Sequence, residues 1–258
     1  MAASPPVTDL ICSRDAYQRR AEATVLALDE AGDGWHLRLN RTVFYPGGGG
    51  QPPDSGWAES MELAPHSWPV STARRVSGDV VHVLSTTDGG DAPARLPEVG
   101  ETLAVEIDWT RRYLLMRTHT ALHTLCGVVW RDHGALVTGG NMEPGSGRMD
   151  FEFETMSGEL VSSIEARVNE ELAMGRDVTV RSLPRDEAFA IPDLIRTKVN
   201  LLPAGIPEVR VVEIAGLDLQ ADGGTHVANT REVGQIRVTG YESKGRLNKR
   251  IRLEVVDA

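Results

Sequence analysis

Residues 111–131 read RRYLLMRTHTALHTLCGVVWR. The stretch has no proline and a single glycine, and its apolar residues recur at helical spacing, so it predicts a helix. The chain before it reads differently. Residues 24–28 (TVLAL) and 35–39 (WHLRL) alternate apolar and polar positions around Gly32-Asp33-Gly34, which predicts a β-hairpin. A loop rich in glycine and proline follows over 45–56, then a strand over 80–84, a loop from Asp88 to Pro97, and another alternating strand over 103–107. Short strands with regular turns point to a small β-barrel or sandwich.

After the helix the pattern is mixed. Ser157 reads as an N-cap, and Leu160, Val161, Ile164, Val168 and Leu172 recur at helical spacing before Gly175 stops them. Residues 178–180, 209–214, 236–238 and 251–255 read as strands. The expected fold class is α+β: a β-barrel-like domain over 1–109 carrying the glycine-rich loop, then an α+β domain over 110–258. No internal repeat interrupts this division.

Charge divides along the same line. The 258 residues carry a net charge of −10, with 16 acidic and 8 basic residues in 1–109 but 21 and 19 in 110–258. Loose, charge-driven binding to nucleic acid is therefore not expected, and an anionic partner would have to meet the second part. No apolar run is long enough for a membrane helix, and the first ten residues, MAASPPVTDL, lack a basic start and an apolar core. The two cysteines, Cys12 and Cys126, form neither a metal-type pair nor a disulfide framework, so a cytoplasmic location is the expectation.

Four segments can carry chemistry. His119 and His123 lie four apart, one turn from each other on one helix face, where two imidazoles can grip a zinc ion or simply pack. No glutamate of the HExxH type accompanies them. Asp222-Gly223-Gly224-Thr225-His226 offers one oxygen and one nitrogen ligand, or a plain Asp-Gly turn followed by a core histidine. Phe44-Tyr45-Pro46-Gly47-Gly48-Gly49-Gly50-Gln51-Pro52 can bring backbone N–H groups near a ligand, or serve as a linker; it lacks the Lys-Ser/Thr of a phosphate-binding loop. Arg111, Arg112 and Arg117, with the tail SKGRLNKRIR, can hold phosphates or form a solvated face. His36, His66, His82 and His133 read as structural or exposed.

Taken in order, these segments resemble the free-standing alanyl-tRNA editing hydrolases. The resemblance runs through T-x-F-Y-P-x-G-G-G-Q (42–51), M-R-x-H-T-A-x-H (116–123), G-G-T-H-V-x-N-T-x-x-x-G (223–234) and K-G-x-x-N-x-R-I (244–251), covering about residues 22 to 255. It implies a barrel-like N-terminal domain and a C-terminal editing domain of the kind found in threonyl- and alanyl-tRNA synthetases. It also implies one zinc ion per chain, held by the two helix histidines and a Cys-Gly-Gly-Thr-His loop. Carried over, the ligands are His119, His123 and His226. The usual cysteine position is Asp222, which suits zinc as a harder ligand or orients a ligand from outside. Gly47 stands where an acidic residue is common.

The implied reaction is hydrolysis of serine, or of glycine, misattached to alanine tRNA, by a stand-alone trans-editing factor. Thr42 resembles the position that reads the amino-acid hydroxyl, with Gln51 beside it. Asp222 is a base if it is not a ligand. Arg111, Arg112, Lys244, Lys249 and Arg250 are the expected contacts to the tRNA acceptor end. Two other readings remain open on the residues alone: a zinc hydrolase of a small molecule, and a non-catalytic module that binds tRNA or metal.

Overall fold

The computed structural model describes residues 7–61, 66–85, 95–198, 202 and 205–257. The chain forms two compact units, Met1–Gly48 with Pro52–Arg112, and Gly49–Gln51 with Tyr113–Ala258. The loop read from Asp88 to Pro97 lies, except for its last three residues, outside the described residues.

Among the described residues the first unit holds eight strands: β1 (Asp9–Leu10), β2 (Arg20–Ala31), β3 (Gly34–Leu39), β4 (Arg41–Thr42), β5 (Gly56–Ser60), β6 (Ser67–Val76), β7 (Asp79–Leu84) and β8 (Thr102–Ile107). Six close into a barrel in the order β2-β3-β7-β6-β5-β8, every pairing antiparallel, and β1 pairs with β4 alone. Closure needs strong coiling, and register shifts at Val25/Ala27 and Val70/Thr72 bend β2 and β6. Alternate residues point inward and make one core, including Val25, Leu37, Leu39, Phe44, Trp68, Val70, Leu103, Val105 and Ile107.

The expected hairpin is present, with Ala31 paired to Gly34 across Gly32-Asp33. Strands β5 and β6 were not read from sequence. β5 directly follows the glycine-rich loop, and β6 carries Pro69, which weakens its strand signal.

Two polar groups organise this interior. Arg112 is fully buried: its Nε donates to both Asp54 oxygens at 3.1 and 3.0 Å, its Nη1 to Ala16 O at 2.8 Å and its Nη2 to Val43 O at 2.7 Å. It is therefore a structural cation, which corrects its assignment to tRNA contact. His82 is fully buried too, with Nδ1 donating to Leu37 O at 3.2 Å. Its Nε2 then accepts from Thr42 Oγ1 at 2.7 Å, and Thr42 Oγ1 accepts from Phe44 N at 3.1 Å.

Burial pushes the His82 imidazole down to about 4. A folded-state value below the unfolded value of about 6.5 means that the unfolded chain takes up a proton first as pH falls. Stability is therefore full above about pH 6.5 and declines toward pH 4, by about 2 kcal/mol at pH 5. In denaturant titrations, wild type should lose about 2 kcal/mol relative to a His82→Gln variant between pH 7 and pH 5. A constant difference would show that His82 titrates normally.

The second unit is α+β. Helix α1 (Trp109–His133) leaves its first residues in the barrel unit and continues here. It is followed by β9 (Val137–Glu143), β10 (Ser146–Glu152), α2 (Gly158–Ala173), β11 (Val178–Pro184), α3 (Arg185–Phe189), β12 (Glu208–Ile214), β13 (Asp218–Ala221), β14 (Gln235–Ser243) and β15 (Asn248–Val256). One antiparallel sheet has the order β14-β15-β10-β9 and the other β11-β12-β13.

Ser157 caps α2 as expected, its side chain accepting from Leu160 N at 3.2 Å, and Val161, Ile164, Val168 and Leu172 form the buried face. No helix among the described residues is long and apolar enough to cross a membrane.

Candidate metal centre

Helix α1 presents His119 and His123 on one face, with ring centroids 5.1 Å apart. The loop leaving β13 brings Asp222 and His226 to them, His226 lying 4.3 Å from the His119 ring and 4.7 Å from the His123 ring. One ligand atom from each of His119, His123, Asp222 and His226 lies within 4.8 Å of every other. The three histidines are buried.

Each imidazole is held from behind through Nδ1. His119 Nδ1 donates to Gln51 Oε1 at 2.9 Å, and the same oxygen accepts from Thr225 N at 2.9 Å, while Gln51 Nε2 donates to Thr225 Oγ1 at 2.8 Å. His123 Nδ1 donates to Asp218 Oδ2 at 2.8 Å. His226 Nδ1 lies 3.2 Å from Thr120 Oγ1, which also accepts from Val227 N at 3.3 Å. With every Nδ1 engaged, the three Nε2 atoms are the ones left for a shared centre.

The fourth donor is equally constrained. Asp222 Oδ2 accepts from Gly224 N at 2.6 Å and lies 3.1 Å from His226 Nε2, and Asp222 Oδ1 is 3.6 Å from His119 Nε2. Arg210 donates to the Asp222 carbonyl at 2.8 Å. Glycine is required at 224 because a Cβ there would sit 2.2 Å from His119 Cε1. The loop over 47–50 has φ values of 78, 129, 58 and 86°, all in the region that favours glycine. A Cβ on Gly49 would stand 3.5 Å from Asp222 Oδ1.

At His119, His226 and Asp222, though not at His123, electrostatics favour the protonation states a metal needs. Burial holds His119 well below the ordinary imidazole value and pushes His226 down to about 4, although Asp222 opposes both. Burial pushes Asp222 the other way, but the imidazoles around it outweigh that and keep it well below the usual carboxylate range. His123 is raised, because its bond to Asp218 overcomes burial.

The donor chemistry passes a test of fit. Tetrahedral zinc with bonds of about 2.0–2.1 Å needs donors about 3.3 Å apart. Two of the separations, 3.1 and 3.6 Å, lie on either side of that figure, and all four donors lie within 4.8 Å of one another, so an ion would draw the set closer together. Three imidazole nitrogens and a carboxylate oxygen form an acceptable set.

The other expected site residues are not among the four donors. Gln51 is buried, and its amide braces His119 and Thr225, so it is a positioning residue. Thr42 is fully buried with its hydroxyl proton directed to His82. Lys249 is buried with its ammonium donating to Gly245 O and Arg246 O, which corrects its assignment as a phosphate contact. Arg250 binds Asp150 bidentately at 2.7 and 2.8 Å. Arg111 donates to Pro53 O at 3.2 Å, and Lys244 is exposed with its ammonium 3.7 Å from Glu242.

Sequence reasoning missed Thr120 and Asp218. Asp218 is buried, takes an ion pair from Arg196 and accepts from Gln220 Nε2 at 2.8 Å in addition to bracing His123. An Asp218→Asn variant should bind zinc about 10–100-fold more weakly in a chelator competition. Unchanged affinity would limit Asp218 to pairing with Arg196.

Residues 209–252 match the sequence profile of the threonyl and alanyl tRNA synthetase second additional domain. The chain is 34% identical over 245 residues to the alanyl-tRNA editing protein AlaX-M of Saccharolobus solfataricus, covering 95% of this chain and 98% of that one. It is 33% identical over 251 residues to AlaX-M of Methanosarcina mazei, covering 97% and 98%. The alanine–tRNA ligase of Ignicoccus hospitalis is 33% identical over 239 residues, 90% of this chain but 24% of the ligase.

Proposed function

We propose, from the premise that this chain belongs to the AlaX-M family of alanyl-tRNA editing proteins, that it is a metal-dependent hydrolase. Its substrates on this reading are alanine tRNA carrying misattached serine and, secondarily, glycine. The observation that carries the proposal is the group His119, His123, Asp222 and His226, whose ligand atoms lie within 4.8 Å of one another and whose imidazoles are each braced from behind. Zinc is the proposed ion, and when bound it supplies Lewis-acid charge at the ester carbonyl. In the overall reaction water oxygen adds to the acyl carbon, the bond from that carbon to the ribose oxygen breaks, and the ribose oxygen leaves with a proton.

The protein's part is to hold geometry. Gln51, Asp218 and Thr120 set which nitrogen of each ring faces the centre. Thr42 is the proposed hydroxyl-reading residue. Its hydroxyl is buried and bonded to His82 Nε2 and Phe44 N, so this role requires the side chain to be uncovered when substrate binds. A site that hydrogen-bonds a hydroxyl disfavours analogues lacking it, which is the direction needed to spare alanine and makes glycine, which also lacks the hydroxyl, the poorer substrate. Arg111, Lys244 and Arg250 remain the proposed contacts to the acceptor end.

The test is deacylation of alanine tRNA carrying serine, glycine or alanine by the purified protein, with metal content measured on the same sample. Rapid loss of the serine ester with the alanine ester intact supports the proposal. A metal-loaded protein that leaves all three esters at the spontaneous rate overturns it.

A further inference from the structure

We infer that Asp222 is a true fourth ligand, and that it makes this an all nitrogen–oxygen centre which takes borderline and hard divalent ions, including manganese(II) and cobalt(II) as well as zinc, and discriminates against soft ions such as cadmium. The inference rests on the reading of His119, His123, Asp222 and His226 as a metal centre and adds the class of metal.

The geometry favours ligation over an outer role. A carboxylate that only oriented a ligand would engage a histidine Nδ1, as Asp218 does for His123. Asp222 instead lies on the Nε2 side of the rings, 3.1 Å from His226 Nε2 through Oδ2 and 3.6 Å from His119 Nε2 through Oδ1. The bond from Gly224 N at 2.6 Å fixes the carboxylate in that position. The neighbouring loop leaves Oδ1 room because Gly49 has no side chain, its Cβ position being 3.5 Å away.

Neither cysteine thiol is placed to take over the fourth position. The chain has two cysteines, both buried. Cys12 donates to Phe44 O at 3.6 Å in the barrel unit. Cys126 accepts from Gln220 Nε2 at 3.3 Å, and burial pushes its thiol up to about 12, so it stays protonated. Thiolate selects soft ions, whereas imidazole with carboxylate serves zinc, cobalt, iron and manganese. Zinc remains tighter than manganese by the general order of divalent affinities.

The experiment titrates metal-free full-length protein with zinc, manganese(II) and cadmium, and records the cobalt(II) absorption spectrum. The samples are wild type, Asp222→Asn and Asp222→Cys, with the melting temperature of each metal-free protein as the folding control. Asparagine keeps an acceptor for Gly224 N while removing the charge. Wild type should bind one ion per chain. Asp222→Asn should weaken zinc by more than about tenfold without lowering the metal-free melting temperature. Asp222→Cys should raise the cadmium-to-manganese affinity ratio by more than about tenfold and add a thiolate-to-cobalt charge-transfer band.

Full zinc affinity in Asp222→Asn, or an unchanged ratio in Asp222→Cys, overturns the assignment of Asp222 while leaving a three-histidine centre. A wild-type protein that binds none of the four ions overturns the metal centre itself.

Discussion

Replacing His119 with alanine is expected to remove both the metal and the deacylation, lowering kcat/KM on serine-loaded alanine tRNA by at least about 1000-fold, or about 4 kcal/mol of transition-state stabilisation. His119 takes part in more contacts at the centre than a single ligand bond implies. Its ring stacks 4.3 Å from His226, its Nδ1 anchors Gln51, and its Nε2 lies 3.6 Å from the Asp222 carboxylate. Removing it takes away one nitrogen donor and the partner that holds the Gln51 amide, so the remaining donors form a smaller and less firmly braced set. Gly224→Ala reaches the same end without deleting a ligand. The new methyl would sit 2.2 Å from His119 Cε1 and 2.7 Å from Gln51 Oε1, forcing the ring off its position. Both variants should lose bound zinc in parallel with activity. A metal-free His119→Ala protein that retains activity within about tenfold of wild type would show that hydrolysis does not pass through this centre.

What could be read from the sequence follows from how local each signal is. The β2–β3 hairpin was legible because alternation and a Gly-Asp turn lie within sixteen residues of each other. The β9–β10 hairpin was not, although Pro144-Gly145 marks its turn: TGGNME and SGRMDF alternate too weakly to stand out. At the site, His119 and His123 were legible because helix geometry alone puts residues four apart on one face. Asp222 and His226 became candidates through the tight Asp-Gly-Gly segment. Asp218 carries no such local mark. Its partner His123 is 95 residues away, and only the pairing of β13 with β12 brings it into position. Charge misled the reading for a related reason. Arg112 and Lys249 look alike in sequence to any surface cation, and burial, which decides their role, comes entirely from long-range packing.

Arg112 accordingly gives a prediction about stability. Arg112→Met should destabilise the barrel unit by about 3–5 kcal/mol in urea titration, because it strands the fully buried Asp54 carboxylate. Asp54 keeps one other donor, Tyr45 N at 2.7 Å, which is insufficient compensation for an isolated charge. Arg112 also satisfies Ala16 O and Val43 O, so its loss leaves buried carbonyls unpaired as well. An Asp54→Asn change should cost a comparable amount by leaving the guanidinium uncompensated, but the double variant should cost much less than the two singles together, since neither charge is then stranded. Arg112→Lys separates this role from phosphate binding. A surface contact to RNA would tolerate lysine, which keeps the charge. A buried fork that reaches a carboxylate and two carbonyls at once cannot be copied by one ammonium group. The lysine variant should therefore unfold almost as easily as the methionine variant. Stability within about 1 kcal/mol of wild type for both would show that the pair contributes little and that burial alone misidentifies the role of Arg112.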